Sequence, residues 1–275
     1  MGCSSPLLMI DMLHSFYSLA EKKVVSIGGG GGEVTDDDTE LVGSSHGWVA
    51  LFNERSGDVF LWNPISRRRI NLPPIDTLPA KAVIKVILSS SPDESECRVV
   101  MSYVPENRLA FCCPGGSNEW TPIGAWFHVD EEEDGVKIRA RVYEDFAYCK
   151  GQNRLFCVTQ FGDLERWDLG DPSSPRIDWS NEEDEEVMYT DSELEEAISL
   201  ITLKYIVVDE QSNRVFIVER KIVMHVGPDD TYPYKTVGFK VYKIEMDGPT
   251  GSLDARTEPS AYHRRIPDTW TALLG

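Results

Sequence analysis

No stretch of this chain stays apolar for the roughly 18 residues that a membrane-crossing helix needs. The first apolar run, Leu7-Leu8-Met9-Ile10, is broken at once by Asp11, and no Lys or Arg precedes it, which argues against a secretory signal. The first Arg is Arg55, while Asp11 and Glu21 stand near the start; an organelle transit peptide is Arg-rich and poor in acids. Met1-Gly2-Cys3-Ser4-Ser5-Pro6 approaches a myristoylation signal but places Pro6 where Ser or Thr is required. The expected address is therefore cytosol or nucleus, with no membrane partner. Mitochondrion or chloroplast replaces it only if an upstream transit peptide is missing from this sequence.

Positive charge is also scarce. Lys and Arg number 27 against 46 Asp and Glu, a formal charge of -19, and a field of that sign repels phosphate backbones. The one dense basic run, Arg67-Arg68-Arg69, lies beside the turn chemistry of Pro73-Pro74, so a solvated turn is expected there and no nucleic acid. The six cysteines (Cys3, Cys97, Cys112, Cys113, Cys149 and Cys157) show no CxxC spacing. Adjacent Cys112 and Cys113 point to opposite faces of a strand, and reduced thiols acting as small buried hydrophobes are expected.

Signatures of chemistry are missing as well. His14, His46, His128, His225 and His263 are isolated, with neither HxxxH pairing nor a Cys at ligand spacing. Gly28 through Gly32 is not followed by the Lys-Ser/Thr of a phosphate loop, and no GxSxG elbow occurs. Carboxylates are so numerous that no pair stands out as glycosidase-like. His46 lies in a Ser-Ser-His-Gly turn, where a structural role beside Ser44 is expected rather than a catalytic one. No catalytic, cofactor-binding or metal-ligating residue is nominated, no cofactor is expected, and the binding residues are left unassigned.

What the chain does have is β-pattern. With 275 residues and 41% hydrophobic content it is long enough for one large β domain or for two ordinary ones. Residues 26–40, with the glycine run and Asp36-Asp37-Asp38, read as a break too flexible and too repulsive to pack. Before it, a strand–turn–strand piece is expected around Phe16-Tyr17-Ser18. After Leu41, Trp48-Val49-Ala50-Leu51-Phe52 reads as a strand, 53–58 as a turn, Val59-Phe60-Leu61-Trp62 as the returning strand and Ile70-Asn71-Leu72 as a third. Equivalent units follow at 82–123, 146–169 and 202–246.

Four such units at intervals of roughly 40 to 70 residues have the spacing of propeller blades with loop insertions. Their strands are apolar on both faces, as a blade between two others requires. Trp62-Asn63-Pro64, Trp120-Thr121-Pro122 and Trp167-Asp168-Leu169 are read as the ends of third strands, their rings filling the gaps between blades. The acidic stretches 181–186 and 193–196 break the rhythm and read as a solvated loop or short helix, with an acidic docking surface as the sharper alternative.

Several strings within these units resemble the plant KIB-type β-propellers found behind F-box domains, long listed as a domain of unknown function. They are Gly43-Ser44-Ser45-His46-Gly47-Trp48, Leu61-Trp62-Asn63-Pro64, Ile70-Asn71-Leu72-Pro73-Pro74, Glu119-Trp120-Thr121 and Phe239-Lys240-Val241-Tyr242-Lys243. Leu109-Ala110-Phe111-Cys112-Cys113-Pro114-Gly115, Tyr143-Glu144-Asp145-Phe146 and Gly162-Asp163-Leu164-Glu165-Arg166-Trp167-Asp168-Leu169 extend the match. The resemblance runs from about Leu41 to Met246 and is similar in flavour to the branch that lacks the F-box.

The resemblance implies an all-β propeller over 41–275, preceded by an N-terminal segment, 1–40, that contributes a linker and part of a closing blade. It implies recognition of an unidentified client protein. A Skp-type adaptor is not expected, because the stretch before Leu41 leaves no room for a helical F-box of roughly 40 residues. The chain ends at Trp270-Thr271-Ala272-Leu273-Leu274-Gly275, short of the closing strands of that family, so a propeller incomplete at its C-terminus is expected. The alternative readings are a propeller hydrolase or lyase with a central-channel site and an organelle-resident binding protein.

Overall fold

A computed structural model describes residues 7–11, 15–18, 22–26, 38–124, 127–132, 135–160, 162–181, 200–209, 211–224 and 234–244. Among them the regular structure is strand, apart from one 3-10 turn at Ile75–Thr77. The chain divides into two compact units, residues 1–143 with 167–177, and 144–166 with 178–275.

In the first unit, β1 (Leu7–Asp11), β2 (Ser15–Ser18) and β3 (Lys23–Ser26) form a three-stranded antiparallel sheet. Phe16, Tyr17 and Ser18 lie inside the middle strand, not at a turn. The next sheet is a four-stranded meander of β4 (Thr39–Ser45), β5 (Trp48–Asn53), β6 (Asp58–Trp62) and β7 (Arg69–Asn71).

β4 begins inside the segment read as a break. Its composition, Thr-Glu-Leu-Val-Gly-Ser-Ser, carries little β signal of its own. It is held because Asn53 pairs with Thr39 in the ladder, Glu54 N donates to Asp38 O at 2.9 Å and Arg55 pairs with Asp38 at 2.8 Å. A second meander follows, β8 (Ala82–Leu88), β9 (Val99–Val104), β10 (Arg108–Cys112) and β11 (Thr121–Ile123), then the hairpin of β12 (Phe127–Glu132) and β13 (Gly135–Ala140). The hairpin has no counterpart in the sequence reading.

The third meander consists of β14 (Tyr143–Cys149), β15 (Arg154–Thr159), β16 (Leu164–Asp168) and β17 (Arg176–Asn181). In the second unit β18 (Leu200–Asp209), β19 (Arg214–Met224) and β20 (Tyr234–Ile244) form a three-stranded antiparallel sheet.

Alternation along β5 explains why its pattern is continuously apolar. Trp48, Ala50 and Phe52 face the second meander, where they join Val86, Val99, Met101 and Ala110 in one core. Val49 and Leu51 face the other way and pack with Phe60 and Trp62. Both faces of the sheet are buried, so both sets of side chains must be apolar. In the second unit Phe156, Val158 and Leu164 pack against Ile206, Val215 and Ile244.

The aromatic repeat needs correction at one position. Trp62 and Trp167 close or nearly close the third strands β6 and β16, but Trp120 precedes the fourth strand β11. In the second meander the place of Trp62-Asn63-Pro64 is taken by Cys112-Cys113-Pro114. The turns that follow correspond, since Arg67 N donates to Asn63 O at 2.8 Å and Ser117 N to Cys113 O at 3.0 Å. Trp120 still fills the space between the first two meanders, 3% exposed, with Nε1 donating to Pro73 O at 2.7 Å.

Candidate functional site

One backbone feature recurs in four of the sheets. The residue that closes a hairpin turn is left-handed before β6, β10, β15 and β19: Gly57 at φ 72°, Asn107 at 47°, Asn153 at 53° and Asn213 at 53°. Asparagine is among the few side chains that tolerate this region. In three of the four sheets an arginine follows and opens the strand: Arg108, Arg154 and Arg214. The repeated Asn-Arg pair is a sequence signal that the strand reading passed over.

In the first unit this turn borders a shallow cleft lined by Tyr103, Arg108, Leu109, Pro122, Ile123, Gly124, Arg141 and Tyr143. Arg108 is nearly buried along its stem and pairs with Glu106. Tyr143 N donates to Asn107 O at 3.3 Å, which holds the turn against the start of β14. Arg141 lies over the Trp167 ring, 6.0 Å from its centroid. Gly124, at φ 77°, makes room for that stack, because a Cβ there would lie 3.2 Å from both the Arg141 guanidinium and the Trp167 ring.

Burial pushes the Tyr103 hydroxyl above its usual pKa, partly offset by the Arg108 charge and hydrogen bond. The cleft therefore brings together two guanidinium groups and the neutral Tyr103 phenol. That is recognition chemistry suited to a carboxylate or carbonyl oxygen.

The second unit has a polar clasp at the same kind of turn. Gln152 Nε2 donates to Asn213 O at 2.9 Å, and Tyr148 Oη to Asn153 Oδ1 at 2.8 Å. Asp178 accepts from Arg154 Nε at 2.5 Å and from Arg166 Nε at 2.6 Å, joining β15, β16 and β17. Deeper in the unit, Asp145 Oδ2 accepts Ile206 N at 2.8 Å and Glu144 Oε1 accepts Lys204 N at 2.6 Å.

Residues singled out from the sequence fall as follows. His46 is exposed at φ 53° and, with Gly47 at φ 77°, forms the tight turn from β4 to β5. The basic run lies on an exposed turn. Arg68 stacks over Trp48 at 5.4 Å and pairs with Asp93 at 2.7 Å, while Arg69 covers Phe60 at 3.7 Å. Cys97, Cys112, Cys149 and Cys157 are buried, Cys113 is half-buried, and none of the five is in a disulfide. Burial raises the pKa of Cys112 well above the usual thiol value and raises that of Cys97 as well.

The glycine run 28–32, the acidic stretches beyond Asn181, and His14, His225 and His263 lie outside the described residues. His128 is on β12, with its side chain outside the description. Among the described residues no group of three His, Cys, Asp or Glu side chains could hold a metal ion, and no helix is long and apolar enough to cross a membrane.

Successive antiparallel meanders, packed face to face within each unit, define a β-propeller chain built from repeated blades. The KIB1-4 beta-propeller family model matches residues 16–258, and the chain belongs to that family. Among curated proteins none matches. Among solved structures the chain is similar to the Cps50 (Swd1) beta-propeller domain of Myceliophteria thermophila, at 10% identity and a TM-score of 0.44, over 82% of this chain and 65% of that one. It is also similar to AztD of Citrobacter koseri (16% identity, TM-score 0.39, 74% of this chain and 46% of that one). The Nup133 beta-propeller domain of Vanderwaltozyma polyspora is similar at 12% identity and a TM-score of 0.35, over 89% of this chain and 68% of that one. The chain thus spans less than two thirds of the first of these structures.

Proposed function

We propose that this chain is a non-catalytic protein-interaction propeller that holds a client protein, in the manner of the substrate-binding part of F-box receptors. The observation that carries this reading is apolar side chains left at the surface of one sheet: Val207, Phe239 and Val241 are 47%, 43% and 45% exposed. Contiguous exposed apolar patches mark interaction surfaces. The arginine-lined cleft supports the same reading, because its groups recognise oxygen atoms without offering a nucleophile paired to a base. No role in recruiting a Skp-type adaptor is assigned to these residues, and the working address is cytosol or nucleus.

Affinity purification of the tagged chain from cells, followed by mass spectrometry, tests the reading. Stoichiometric recovery of one client is the expected result. Recovery of chaperones alone, or turnover of a substrate from a hydrolase or lyase panel, would overturn it.

A further inference from the structure

We draw no further inference here: the strongest candidate, the outward apolar face of the β18–β20 sheet around Val207, Phe239 and Val241, carries none, because nothing in the structure shows what covers it.

Discussion

Gly43 on β4 lies directly against the Val86 carbonyl on β8, so close that a Cβ at position 43 would sit 2.0 Å from the Val86 oxygen. Both strands are irregular at this approach, with bulges between Leu41 and Gly43 and between Val83 and Lys85. Ser45 Oγ reaches the Leu88 carbonyl at 3.5 Å, one step further along. The first strands of two successive meanders thus meet backbone to backbone, which only glycine permits.

Gly43→Ala is expected to destabilise the first unit by about 1–3 kcal/mol, because the obstacle is a backbone carbonyl that no rotamer change can move. Urea denaturation followed by intrinsic fluorescence would read this as a lower midpoint with an unchanged slope. An unchanged midpoint would mean that the two strands separate at little cost.

In the second unit, a Cβ at Gly151 would fall 1.7 Å from Asn213 Oδ1. Here the obstacle is a side chain, so the clash is removable. Gly151→Ala should lower stability by about 1–3 kcal/mol, and Asn213→Gly, which keeps the left-handed backbone, by a few tenths. The double variant should recover most of the loss, a coupling that a double-mutant cycle measures. Additive losses would show that the two turns are not in contact.

Trp120→Phe keeps an aromatic ring between the meanders but removes the donor that satisfies the Pro73 carbonyl. Leaving that buried acceptor unpaired should cost about 1–3 kcal/mol. Thermal unfolding of the two proteins side by side would show it. Equal midpoints would mean that water replaces the indole.

Glu144 provides a pH signature. Burial raises its pKa above 4.5, and the bonds from Lys204 only partly offset this. The folded state therefore binds the proton more tightly than the unfolded chain, and this group's contribution becomes more favourable as pH falls. The change is confined to the window between the raised folded value and 4.5. Glu144→Gln removes it, so the stability of wild type relative to the variant should rise as pH is lowered from 7 to 4. Urea midpoints across that range that stay parallel would contradict the assignment.

Much of the fold was legible in the sequence wherever strands are buried on both faces. β5, β6, β9, β10 and β15 read as largely apolar runs with turn residues at their ends, and they lie within a residue or two of where the pattern put them. β4 and β17 were not legible, because strands of Thr, Glu, Gly, Ser, Arg and Asp carry no apolar period and are held by ladder and ion-pair partners far away in sequence. Trp120 was misassigned for a related reason: a Trp before Thr-Pro looks like Trp62 before Asn-Pro, and only register shows that it belongs to the connection into the fourth strand.

The sequence by itself determined the class of this protein. Its two-faced apolar strands, its blade-length repeat and its family strings all point to a β-propeller, since short-range patterning depends on residues that are neighbours along the chain. Tertiary structure alone decided the rest. It brought Arg108 and Arg141 to one cleft, set Gly43 against Val86, and left one face of β18–β20 outward while the other entered the core. Both faces of that sheet are apolar in sequence, and burial is a property of what packs against a face rather than of the residues on it.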